Sequence, residues 1–184
     1  MFEKKMTVQL SEADYLHFNS YHMKNRPAGK KAFLTNLFLA PGISLFSMII
    51  ILMISRDPIL IVGEAVFLTL FSALCMIFTK KRVLRRVRRR YRKTVKKDPD
   101  AFPPVELTFT EDGFSFVEPR ETGSVRYSMI KHVGEDTNGL YLYRNDVMGY
   151  VLPARCFASP EEQAQFAEFI RKKAEEQKAD NANV

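Results

Sequence analysis

The sequence predicts a membrane α-helical hairpin joined to a cytoplasmic α+β domain, an antiparallel sheet capped by a C-terminal helix. Three observations predict it. Residues 32–54 carry no charge, and residues 59–79 carry one, Glu64. Twelve Lys and Arg with no acid follow over residues 80–97. From residue 105, short alternating segments are divided by Gly, Asn and Asp, and one amphipathic stretch closes the chain. At about 1.5 Å per residue the first span reaches roughly 34 Å, enough to cross a hydrocarbon core of about 30 Å with some tilt. Two core helices of a soluble protein would pass the same length test. A chain of 184 residues, however, has too little else to cover both on all sides. The long apolar run, its acid-containing 31-residue flank and the lack of a small-x-small site argue against a cleaved signal peptide.

Residues 1–31 form the N-terminal cytoplasmic part. Met6, Val8 and Leu10 alternate with Lys5, Thr7 and Gln9, the pattern of a half-buried strand. Ser11 and Asp14 have the spacing of a capping box, with the shorter acid, at the start of a helix running from Glu12 to about Lys24. Tyr15, Phe18 and His22 fall along one of its faces, and Pro27 and Gly29 end it. His17 and His22 are five apart and do not share a face, so they do not suggest a metal pair.

Ser55-Arg56-Asp57-Pro58 joins the spans. Asp57 is a good N-cap and Pro58 suits a first helical position. So short a link makes the spans antiparallel neighbours. Lys24, Arg26, Lys30 and Lys31 precede the first span, one Arg sits in the link and twelve cations follow the second. The excess of cations puts both termini in the cytoplasm and the protein in the plasma membrane with two passes. Lipid gives no hydrophobic push between helices, so small residues mark their contact. Ala40, Ser44 and Ser47 in the first span and Ala65, Thr69, Ser72 and Ala73 in the second recur at helical spacing, and folding about Arg56-Asp57 sets Ala40 opposite Ala73, Ser44 opposite Thr69, and Ser47 beside Ala65, an expected helix–helix seam. Glu64, two turns into its span, can reach the interface or Arg56; with no second ionisable group in either span it forms no ion path.

Residues 80–99 predict a basic juxtamembrane helix continuous with the second span and stopped at Asp98-Pro99. Leu84, Val87, Tyr91 and Val95 give it an apolar stripe. Lys80, Lys81, Arg82, Arg85, Arg86, Arg88, Arg89, Arg90, Arg92 and Lys93 are the candidate contacts to anionic lipid, each contributing about 1 kcal/mol when near the surface. Two other readings stay open: the stripe packs on the following domain, or the charge only fixes topology. The whole chain is +7, whereas residues from Asp98 onward sum to −7. That asymmetry is unlike an evenly basic nucleic-acid binder, and no nucleic-acid module is recognisable.

After the linker around Phe102-Pro103-Pro104, the α+β domain is expected over residues 105–177. Strands are predicted at 105–110, 114–117, 125–127, within 128–135, at 140–143 and at 149–152. Turns are expected at Glu111-Asp112-Gly113, Gly123, Asn138-Gly139 and Arg144-Asn145-Asp146. Ser159-Pro160-Glu161-Glu162 starts a final helix whose apolar side is Ala164, Phe166, Ala167, Phe169 and Ile170. Residues 178–184 lack a core-building pattern and are expected to be disordered. The strand near the N-terminus can join the same sheet, since both ends of the hairpin face one side.

No nucleophile elbow, phosphate loop or zinc spacing is present. Cys75 and Cys156 lie in different environments and no disulfide is expected. His132 has no Ser or Cys close in sequence, and Tyr127, Tyr141, Tyr143 and Tyr150 suit a sheet better than a stacking platform. Arg144 and Arg155, near strand ends, are weak candidates for binding a carboxylate or phosphate.

Several stretches resemble the YcxB-like family of small bacterial membrane proteins. They are Thr7-Val-Gln-Leu-Ser-Glu-Ala-Asp-Tyr15, the hairpin, Phe109-Thr-Glu-Asp-Gly-Phe114, Tyr127-Ser-Met-Ile130, Gly139-Leu-Tyr-Leu-Tyr143 and Val151-Leu-Pro-Ala-Arg155. Tyr127 stands where many relatives are expected to carry Trp. The resemblance implies a pleckstrin-homology-like cytoplasmic fold and brings no catalytic residue or cofactor. The resulting expectation is a membrane-anchored, non-enzymatic interaction module that contacts anionic inner-leaflet lipid, with an unidentified protein partner. The alternative is an enzyme acting on lipid or peptide at the membrane face.

Overall fold

The computed structural model describes residues 3–182. It divides the chain into two units, Met1–Tyr21 with Arg90–Val184, and His22–Arg89. The apolar hairpin is therefore an insertion between two pieces of one folded domain.

In the domain, β1 (Lys4–Val8) pairs antiparallel with β2 (Val105–Phe109), which pairs with β3 (Gly113–Val117), which pairs with β4 (Thr122–Arg126). The N-terminal strand thus joins the domain's sheet, in the register Val8 to Val105 and Lys4 to Phe109. A second antiparallel sheet holds β5 (His132–Asp136), β6 (Gly139–Tyr143) and β7 (Gly149–Pro153). Two sheets stand where the strand pattern suggested one. A 3-10 turn over Tyr127–Met129 carries the chain from the first sheet to the second.

Gly123 is not a turn. It lies within β4 opposite Phe116, and the reversal falls at residues 118–121, where the Glu118 N–H donates to the Glu121 carbonyl. A Cβ at Gly123 would stand 2.6 Å from the Phe116 ring, so glycine is there to let that ring cross the strand. The β5–β6 loop is Thr137-Asn138, one residue earlier than expected. Gly139 opens β6 with φ +155°, and a Cβ there would meet the Leu152 carbonyl.

One core joins Val8, Leu107, Phe109, Phe114, Val125 and Val133 with Leu140, Leu142 and Leu152, closed by α4 (Pro160–Ala182). The Glu162 N–H donates to Ser159 Oγ, while the Glu162 carboxylate accepts from the Ala158 N–H. The buried side of α4 is Gln163, Phe166, Ala167, Ile170 and Ala174. Ala164 is exposed; Gln163 takes its place and donates to the Asp136 carbonyl at 2.9 Å. The helix also runs past residue 178 to Ala182, correcting the expected disorder. Lys178 donates to the Ile130 carbonyl, Gln177 bonds Ser128 and Asp112, and no Gly or Pro interrupts the turn beyond. Residues 183 and 184 of that tail lie outside the described residues.

In the helix α1 (Glu12–Asn25), Ser11 and Asp14 form the reciprocal capping box. Phe18 and Tyr21 lie against Tyr141 and Tyr143 of β6, with ring centroids 4.7–6.5 Å apart. Pro27 does not merely end α1; it is the first residue of α2 (Pro27–Ile54). α3 (Pro58–Lys97) is one 40-residue helix that carries the second apolar span and the basic segment without a break. Asp57 caps it through Oδ1 to the Ile59 N–H at 2.9 Å.

Candidate functional site

Two features position the residues singled out in the sequence: the hairpin's internal seam and the basic end of α3.

Large apolar side chains along both spans are exposed, among them Phe38, Phe46, Met53, Ile59, Phe67 and Ile77. Of the most apolar 18-residue window of each helix, only 6% is buried. The core helices of a soluble protein would be mostly covered, so this exposure is compatible with a two-pass membrane protein. The less exposed positions follow a three–four spacing: Leu37, Ala40, Ser44, Ser47 and Ile51 on α2, and Ile61, Ala65, Leu68, Ser72, Cys75 and Thr79 on α3. Ser44, 7% exposed, accepts a 2.9 Å hydrogen bond from Ser72 Oγ.

Of the expected seam residues, Ala40, Ser44, Ser47 and Ala65 lie on the less exposed face. Thr69 and Ala73 do not; both are exposed on the rim of a groove that Ser44, Ser72 and Ala65 also line. The spacing explains this. Counting small residues by fours from Ala65 drifts off the face, whereas three–four steps reach Leu68, Ser72 and Cys75. Thr69 satisfies its own hydroxyl on the Ala65 carbonyl at 2.7 Å. The pairing of Ser44 with Ser72 also moves the hairpin register by three residues from the expected Ser44–Thr69.

All ten candidate lipid-contacting cations are exposed. Within the hairpin unit, Arg86 reaches Asn36 at 3.4 Å, Arg82 lies 3.6 Å from Cys75 Sγ, and Lys81 stands over the Phe78 ring. Within the domain, Arg92 is committed to Glu12 by two bonds of 2.8 and 3.1 Å, which raise its already high pKa. The apolar stripe is half-buried. Tyr91 stacks on Phe102 with centroids 4.9 Å apart, meets Tyr15, and its hydroxyl reaches the Leu10 carbonyl. At Tyr91, then, the stripe packs on the domain, one of the readings left open.

Arg155 holds a carboxylate, and it is the protein's own. Its guanidinium donates to Asp14 at 2.7 and 2.8 Å and to the Gln9 carbonyl at 2.6 Å. Asp14 is buried. Burial pushes its pKa up, but the bonds from Arg155 and Ser11 outweigh it and hold the carboxyl at about 2. Sequence reasoning saw the Ser11–Asp14 box but not its partner 141 residues away.

His132 is half-buried, 5.9 Å from the Tyr143 ring, and borders a cavity of about 220 Å³ with Lys131, Arg171, Glu175 and Lys178. Arg171 pairs with Glu135, and Lys178 with the Ile130 carbonyl. A larger depression, about 550 Å³, lies at the start of α4 between Glu135, Asp136, Phe157 and Gln163. Asp136 there accepts from Tyr141 and from the Asn138 N–H. Among the described residues no group of three or more His, Cys, Asp or Glu could hold a metal ion. Burial pushes the Tyr127 and Tyr141 phenols far above their ordinary range, so neither is a ready acid or base.

Fold and surface together define a two-sheet α+β domain, capped by a helix and interrupted by an apolar helical hairpin. Residues 109–170 match the family described as YcxB-like protein, as the sequence resemblance indicated. The match covers β3 through most of α4, about a third of the chain, and leaves out β1, α1 and the hairpin. Comparison with curated proteins and with solved structures gives no match.

Proposed function

We propose that this protein is a membrane-anchored, non-enzymatic interaction module. α2 and the apolar part of α3 cross the plasma membrane as a hairpin, both termini are cytoplasmic, and the domain is displayed at the inner leaflet with a pleckstrin-homology-like fold. The cations from Lys80 to Lys93, apart from Arg92 which Glu12 holds, lie among anionic headgroups and set the height of the domain. The observation that carries this reading is one uninterrupted helix, α3, whose exposed apolar surface passes directly into twelve cations with no acid between. Apolar surface of that size is stable only against lipid or another protein, and the charge that follows it matches anionic headgroups.

The test is lipid retention. The full-length protein is extracted in mild detergent and its bound lipids identified by native mass spectrometry. Anionic lipid stays bound and dissociates as salt rises. Replacing Arg85, Arg86, Arg88 and Arg89 with Gln removes most of it. Equal retention by the variant would overturn the headgroup contact.

A further inference from the structure

Among the described residues of the domain, the large apolar side chains exposed beyond two fifths are Val117, Met129, Val147 and Met148. Two of these four, Val147 and Met148, stand at one end of the second sheet. β5 starts there, β6 ends there and β7 starts there, since His132 pairs with Tyr143 and Tyr143 with Gly149. Met129 precedes β5 and is 43% exposed; Val147 and Met148, at 64% and 65%, form the tip between β6 and β7.

The tip is held in shape. Asn145 Oδ1 accepts from the N–H groups of Val147 at 2.9 Å and Met148 at 2.7 Å, and the Met148 carbonyl accepts from Arg144 at 3.0 Å. Two bulky apolar side chains are thus presented to solvent by an ordered turn, at a steady cost in hydration. Two cations belong to the same end: the Arg144 N–H donates to the Met148 carbonyl and the Lys131 N–H to the Tyr143 carbonyl, on a segment whose net charge is −7.

We infer that Val147 and Met148 form a shallow lipid-inserting tip, with Lys131 and Arg144 on the anionic headgroups beside it. This rests on the membrane reading above. Two side chains fall far short of the roughly 800 Å² per partner of a stable protein interface. They suit insertion into the headgroup–acyl boundary, where apolar area and cationic charge add. A bilayer joined through the same chain supplies a high effective concentration, so a weak tip suffices.

The chain has no Trp, so a single introduced Trp reports its own surroundings. Full-length Met148→Trp, Val117→Trp and Ile50→Trp are reconstituted into vesicles of mixed zwitterionic and anionic lipid that include a brominated lipid. Met148→Trp should emit to the blue of Val117→Trp and be quenched by bromine, while Val117→Trp is not. The quenching should fall when anionic lipid is left out or when Lys131 and Arg144 are changed to Glu. If Ile50→Trp is quenched and Met148→Trp behaves like Val117→Trp, the tip proposal is wrong and the hairpin reading stands. If neither Ile50→Trp nor Met148→Trp is quenched, both fall.

Discussion

Asp14 shows how one side chain fixes the domain's outline. It belongs to α1, caps its own helix through Ser11, and binds Arg155 in the 3-10 turn after β7. Its carboxyl is held at about 2, against an ordinary 3.8. A lowered native pKa contributes stability that is full above the unfolded value and lost as pH falls from 3.8 toward 2. The size is about 2 kcal/mol. Asp14→Asn should therefore lower the domain's unfolding free energy by about that much at neutral pH and flatten its loss between roughly pH 4 and 2. Denaturation of the detergent-solubilised protein at several pH values measures both; a variant whose acid limb matches the wild type would rule the contribution out. The Ser11–Asp14 spacing was legible because capping is local in sequence. Arg155 was legible only as a cation near a strand end, because a partner 141 residues away leaves no periodic trace.

At the scale of elements, the hairpin and the N-terminal strand teach different things. The three–four spacing on α3 was already written in the sequence as Ala65, Leu68, Ser72 and Cys75, but attention to small residues alone set Thr69 and Ala73 beside Ser72 and passed over Leu68 and Cys75. The phase of a helix face is set by every residue that turns inward, large ones included. Leucine at Ser72 should weaken the helix pair, because it removes the Ser44 hydrogen bond and wedges the covered face. Leucine at exposed Thr69 should do little. Crosslinking yield between cysteines placed at residues 40 and 76 compares them, and equal losses would reject the register. β1 was readable from alternation, and its pairing with β2 sets Val8 opposite Val105 and Met6 opposite Leu107 at the edge of the core. Gly123 misled because a glycine within a strand and a glycine in a turn look alike; only the Phe116 ring across from it tells them apart. The final helix outran expectation because its last turns are held by Gln177 and Lys178, polar contacts that no apolar pattern announces.

For the whole molecule, the main consequence is that the domain is split in sequence. β1 and α1 precede the hairpin, and everything else follows it. A fragment of residues 90–184 would leave the β2 edge open and uncover Phe109, a combination that invites aggregation. Joining residues 3–21 to residues 90–182 by a flexible linker should give a soluble monomer, and residues 90–182 alone should not. Size-exclusion chromatography of the two compares them directly; a well-folded monomer from the shorter fragment would show β1 to be dispensable. Both connections to the hairpin leave this one domain, so the two helices insert from one side of the membrane or not at all. Cysteine-labelling in intact cells tests that claim most directly. In a background without Cys75 and Cys156, a cysteine at Arg56 should react with a membrane-impermeant maleimide from outside. Cysteines at Lys5 and at Glu175 should react only after the cells are permeabilised. Labelling of either terminal site in intact cells, or none at residue 56, would contradict the account.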